Sequence, residues 1–128
     1  MTLAMLGQLM ATGLAGALGA LSRYLLGRFI SARAATALPL GTLVINLSGA
    51  FAIGLLFALA QEHVISTMVQ SVLATGFLGG YTTFSTMSWE GVELLRDGSG
   101  WLGLLYLVGS LLLGLLAAAG GLAVGRWL

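Results

Sequence analysis

The chain has no cysteine and no lysine, one proline, one histidine and four carboxylates among its 128 residues. Without cysteine there is no disulfide framework, no thiolate metal site and no thiol nucleophile. The single histidine, His63, has no second imidazole for a metal cluster and reads as a surface residue. Charged residues make up 7% of the chain and hydrophobic ones 59%, whereas a soluble domain carries roughly 25% charged residues. A net charge of +1 gives no ground for nucleic-acid binding. The five cations are all arginine: Arg23, Arg28, Arg33, Arg96 and Arg126. The apolar stretch after Met1 lacks a basic n-region, so it reads as a resident span and not a cleaved leader. These absences leave an integral membrane protein whose interior chemistry falls to hydroxyls, amides and backbone.

What is present is 20 glycines and four long apolar runs. The runs predict an all-α membrane protein, one domain over residues 1–128, with spans at 2–29, 39–60, 67–95 and 101–127 and both termini on one side. The first run carries Gly13, Gly16, Ala17, Gly19 and Ala20, a small face suited to close helix contact. Arg28 lies at its end and can snorkel to the headgroups. Arg23 lies about one turn deeper; it either snorkels too or sets a positive charge at a water-filled mouth. Residues 31–38 read as a polar link, and Pro39 suits the first turn of the next helix. In the second run Thr42, Asn46 and Gly49 share a face by their i, i+4, i+7 spacing. An amide in hydrocarbon needs a partner, so Asn46 is either interhelical glue or a donor facing a pore. Glu90 and Glu93 fall one turn apart at the end of the third run, marking a vestibule or an interfacial helix end. Arg96-Asp97-Gly98-Ser99-Gly100 is turn chemistry. Trp101 and Trp127 sit where interfacial anchors belong, and Gly121 and Gly125 form a packing pair in the last run. Four arginines fall on the side of the first and third loops and one on the other. Arg23's depth and the acidic neighbours of Arg96 weaken that bias, which predicts mixed orientation in the membrane.

The third run is the anomaly. Its centre reads Gly76-Phe77-Leu78-Gly79-Gly80-Tyr81-Thr82-Thr83-Phe84-Ser85-Thr86. Paired glycines followed by four hydroxyls in five residues favour unwinding, because Ser and Thr offer the backbone competing hydrogen bonds. A break near 77–83 is expected. Irregular backbone at membrane depth persists only when buried in protein or lining a polar cavity. The donors gathered here are the Asn46 amide, the hydroxyls of Thr82, Thr83, Ser85 and Thr86, and Tyr106 and Ser110 in the last run; Phe84 adds a ring edge. Such a set can replace the water around a small anion. Unwound carbonyls suit a hard cation instead. No span holds a carboxylate near its middle, which argues against a proton-driven pump. Four short helices make a thin bundle, so a second copy is expected to complete any polar path.

Gly41-Thr42-Leu43-Val44-Ile45-Asn46, the 76–86 string, Glu90 and Gly19-Ala20-Leu21-Ser22-Arg23 together closely resemble the bacterial fluoride channels of the Fluc/CrcB family over nearly the whole chain. The resemblance implies an antiparallel, dual-topology homodimer in the bacterial inner membrane with two fluoride pores. It implies passive, selective fluoride export that protects the cell. It further implies a structural Na⁺ held by the backbone carbonyls of Gly79 and Thr82 from each copy. By position, Asn46 is the fluoride-facing amide and Phe84 one ring of an aromatic box. Thr83, Ser85, Thr86, Tyr106 and Ser110 line the path, and Arg23 and Glu90 lie at the vestibule. The second box position, a phenylalanine in the family pattern, is Met87 here, polarizable but with no ring edge. The competing reading is a small dual-topology exporter of cationic drugs, which needs an embedded carboxylate in the first span; this chain has none there. No metal cluster or nucleophile–base pair points to an enzyme.

Overall fold

The computed structural model describes residues 1–128, and every regular element in it is helical. Helix α1 spans Leu3–Arg33, capped by the Thr2 side chain, which accepts from the Met5 N–H. It runs three residues into the stretch expected as a polar link, which is non-helical only from Ala34. The extra turn is held by Arg33, which donates to the Phe29 carbonyl and lies over the Phe29 ring at 3.7 Å. Helix α2 spans Leu40–Gln61. Pro39 sits just before it and not inside its first turn, and the Pro39 carbonyl accepts from Leu43 N. His63, in the following loop, adopts a left-handed φ of 58° and is exposed.

The segment from Thr67 to Arg96 is divided. It opens with α3, Thr67–Ser71, whose cap is the Ser66 hydroxyl accepting from Val69 N. It widens into a π-helical stretch, Val72–Leu78, and ends in one short turn, α4, Gly79–Tyr81. Thr82 (φ −81°, ψ 157°) and Thr83 (φ −147°, ψ 120°) are extended. Helix α5 then spans Phe84–Arg96. Gly98, at φ 80°, makes the turn into α6, Gly100–Trp127.

Three of these helices, α1, α2 and α6, are long and apolar enough to cross a membrane. Their packing falls into two seams. In one, α1 lies on the π-helical stretch and α4. A Cβ at Gly19 would overlap the Phe77 carbonyl, and one at Gly80 would overlap the Gly16 carbonyl. Backbone therefore meets backbone, the contact small residues permit where lipid supplies no hydrophobic drive. In the other seam α2 lies on α6, with Gly54 against Ala118 and Gly121 against Phe51. Gly125 of the Gly121/Gly125 pair packs on Ala58. Helix α5 completes this half against α6, where Gly91 sits on Leu107.

The large apolar side chains are mostly on the outside. Leu14, Leu18, Phe57, Phe84, Leu111 and Leu116 are exposed, while the buried hydrophobic set is small: Ile45, Ala58, Leu78, Leu94 and Tyr106. This inverts the soluble pattern and fits a surface bathed in lipid tails.

Candidate functional site

The extended residues Thr82 and Thr83 interrupt the main-chain ladder, and neighbouring helices supply the missing partners. From α2, Asn46 offers both ends of its amide to one residue. Its Nδ2 donates to the Thr83 carbonyl at 2.8 Å, and its Oδ1 accepts from Thr83 N at 2.9 Å. The side chain thus stands in for a strand neighbour. One Nδ2 hydrogen remains, beside a cavity of about 280 Å³ lined by Asn46, Ala50, Ile53, Thr82, Thr83, Phe84 and Met87. The glue reading of Asn46 describes its bonds, and its remaining side borders this cavity.

From α1, Arg23 Nε donates to the Gly80 carbonyl at 3.1 Å. The guanidinium, half-buried, caps the short turn α4 where the helix dipole is negative. Arg23 does not snorkel free. Arg28, by contrast, turns back to the Tyr24 hydroxyl at 3.4 Å and is exposed.

Below the break, Thr83 caps α5. Its Oγ1 accepts from Thr86 N at 3.2 Å and donates to Thr86 Oγ1 at 3.1 Å, and Ser85 Oγ lies 3.4 Å away. The Thr82 hydroxyl is turned inward, donating to the Leu78 carbonyl. Of the hydroxyls expected along one path, Thr83 and Thr86 face a second cavity, Ser85 is exposed and lines neither, and Thr82 reaches the first. This second cavity, also about 280 Å³, gathers Arg23, Arg28, Thr42, Thr83, Thr86 and Glu90 among its walls. Thr83 is common to both.

Glu90 and Glu93 part company. Glu90 is half-buried and accepts from Thr42 Oγ1 at 2.9 Å and from the Tyr106 hydroxyl at 3.1 Å. Glu93 pairs loosely with Arg96 at 3.9 Å on the exposed side. Thr42 is the third residue of α2 and Tyr106 the seventh of α6, so Glu90 lies within two turns of the helix ends. Ser110, one turn beyond Tyr106, has a buried hydroxyl with no partner. The two line a third cavity of about 140 Å³ with Leu38, Leu43, Leu105, Gly109 and Leu113.

The face read from spacing is physical. Thr42 meets Glu90, Asn46 meets Thr83, and Gly49 packs against Thr82 and Tyr81. Thr42 belongs to the site, and its place four residues before Asn46 was the signal for it. Tyr81 also belongs there. It bonds Ser48 at 2.9 Å and stacks on Phe77 at 5.9 Å; the i, i+4 spacing signals the second contact and nothing signals the first. Gly79 is exposed, and neither its carbonyl nor that of Thr82 accepts from a side chain or from the turn and cap bonds.

Residues 10–122 match the family model described as CrcB-like protein, Camphor Resistance (CrcB). The chain belongs to the CrcB family. It is 49% identical over 114 residues to the fluoride-specific ion channel FluC 2 of Moorella thermoacetica, covering 88% of this chain and 93% of that one. It is 44% identical over 114 residues to a fluoride-specific ion channel FluC of Solibacter usitatus, again 88% and 93%. The Chloroflexus aurantiacus protein of that name is 43% identical over 124 residues, 95% of this chain and 98% of its own. The CrcB match and the three apolar helices make this a multi-pass membrane protein. Its CrcB relatives are named as channels, not as enzymes.

Proposed function

We propose that this chain forms a fluoride-specific channel that exports fluoride passively across the bacterial inner membrane and so protects the cell. The observation that carries this reading is the extended pair Thr82–Thr83, held by Asn46 between a cavity walled by Arg23, Thr42, Thr86 and Glu90 and one walled by Ile53, Phe84 and Met87. The names of relatives at 43% to 49% identity supply the ion. The divided segment 67–96 is read as a fourth span whose break lies at mid-membrane.

The path runs from the Arg23, Thr42, Thr86 and Glu90 cavity past Thr83 and Asn46 to Phe84 and Met87, with Tyr106 and Ser110 alongside. Hydroxyls and one free amide hydrogen take the place of the anion's water. No guanidinium sits at the Phe84–Met87 end, so no single site holds the ion too tightly to release it. Phe84, 77% exposed on this chain, is the ring a second, antiparallel copy would cover. Met87 in the second box position offers a soft thioether where the family pattern has a ring edge.

A structural Na⁺ fits the donors at hand. Gly79 and Thr82 present carbonyl oxygens with no side-chain partner, beside an unwound stretch, and such oxygens coordinate Na⁺ in broken membrane helices. When bound between two copies, the ion supplies a fixed positive charge near the break. The cation-exporter reading is disfavoured because α1 carries no acidic residue at all.

Proteoliposomes loaded with fluoride test the proposal. Efflux of fluoride with chloride retained is expected; equal passage of both ions rejects it.

A further inference from the structure

We infer that Arg23 is a positioning residue for the cation-binding carbonyls, and not only a charge at the channel mouth. This rests on the Na⁺ reading above. Four features of α1 converge on one peptide group. Gly16, Gly19, Ala20 and Arg23 lie on one face of α1, by their i, i+3, i+4, i+7 spacing. The Gly16 carbonyl and Ala20 N flank the α-carbon of Gly80 so closely that no side chain fits there. Two turns on from Gly16, the Arg23 Nε holds the carbonyl of that same Gly80 at 3.1 Å. Gly80 is thus fixed both by steric contact and by a directed hydrogen bond. The carbonyls of Leu78 and Thr83 are also committed, the first to Thr82 and the second to Asn46. With Leu78, Gly80 and Thr83 tied inward, the peptide planes between them have little freedom. Gly79 and Thr82, the two named for Na⁺, are the ones whose direction this sets.

Arg suits the task where Lys does not. Its Nε–H lies in a rigid plane and fixes direction, while an ammonium is a freely rotating point charge. The other guanidinium nitrogens remain free beside the Thr42, Thr83 and Glu90 cavity. A positive charge this near a cation would by itself weaken Na⁺ binding. The positioning role and the charge role therefore predict opposite effects of removing it.

The test compares wild type, Arg23→Gln and Arg23→Lys in detergent. The Na⁺ concentration that half-maximally raises the thermal midpoint is measured at constant ionic strength, with fluoride efflux recorded in parallel. Both variants should need about 10- to 100-fold more Na⁺, the usual effect of losing a group that orients metal ligands. Lys should not restore the wild-type value. An unchanged or lower Na⁺ requirement in Arg23→Gln, with efflux restored by Arg23→Lys, would overturn the inference in favour of a mouth charge. If the variants do not fold, wild type with ¹³C-carbonyl-labelled glycine decides. The Gly79 carbonyl resonance should move on Na⁺ addition while that of Gly80 stays; the reverse overturns the inference. A wild-type midpoint indifferent to Na⁺ removes the cation reading itself, and this inference with it, while fluoride selectivity would stand.

Discussion

Asn46 is bound to the backbone of one residue through both its donor and its acceptor. Asn46→Asp keeps the acceptor but sets a carboxylate oxygen against the Thr83 carbonyl, and like-signed oxygens repel. Fluoride efflux is expected to vanish in this variant, and unfolding should cost about 1–3 kcal/mol less because a buried carbonyl loses its donor; wild-type efflux would take Asn46 off the path. Thr42→Val tests the neighbouring contact. It preserves shape and removes the donor to Glu90 Oε1, leaving Tyr106 as the carboxylate's remaining partner. A loss of about 1 kcal/mol in stability is expected, read by thermal unfolding in detergent, with Thr42→Ser restoring it.

At the scale of elements, the seam between α1 and the π-helical stretch depends on absent side chains. Gly80→Ala would force the Gly16 carbonyl away. Overpacking of this kind costs about 1–3 kcal/mol, and the displacement would be felt at Thr82 two residues on. The expected result is a lower melting midpoint together with lost efflux, whereas Gly114→Ala, where a Cβ meets open space, should change neither. The sequence carried much of this. The hydroxyl run marked where the main chain leaves helical geometry, because Ser and Thr offer the backbone competing hydrogen bonds. The break is confined to Thr82 and Thr83 and not spread over 77–83, and the glycines did not mark it, since Gly79 and Gly80 lie in α4 and Gly120 and Gly121 in unbroken α6. The face of Thr42, Asn46 and Gly49 followed from 3.6-residue periodicity. Arg23's grip on Gly80 did not, since it joins residues 57 apart and depends on how two helices cross. The π-helical turns were equally hidden, as no spacing rule separates them from α-helix over seven residues. The continuation of α1 through Arg33 was masked by the polarity of Ser31 and Arg33, although Ala32 and Arg33 are good helix formers and Arg33 folds back over Phe29.

For the whole molecule, most large hydrophobic residues face outward, and Arg23, Thr42, Thr83, Thr86 and Glu90 share one cavity. A second copy is expected to cover Phe84 and join its break to this one; cross-linking between cysteines placed at position 84 on two copies should trap a dimer, and monomer alone under efflux-competent conditions would dismiss that assembly. One feature of chain order bears on how such a protein is made. The two side chains that grip the break, Arg23 and Asn46, both precede it. Synthesis runs from the N-terminus, so both clamps are made before Thr82 and Thr83. Each newborn subunit thus carries, ahead of the break, the side chains that hold its main chain there.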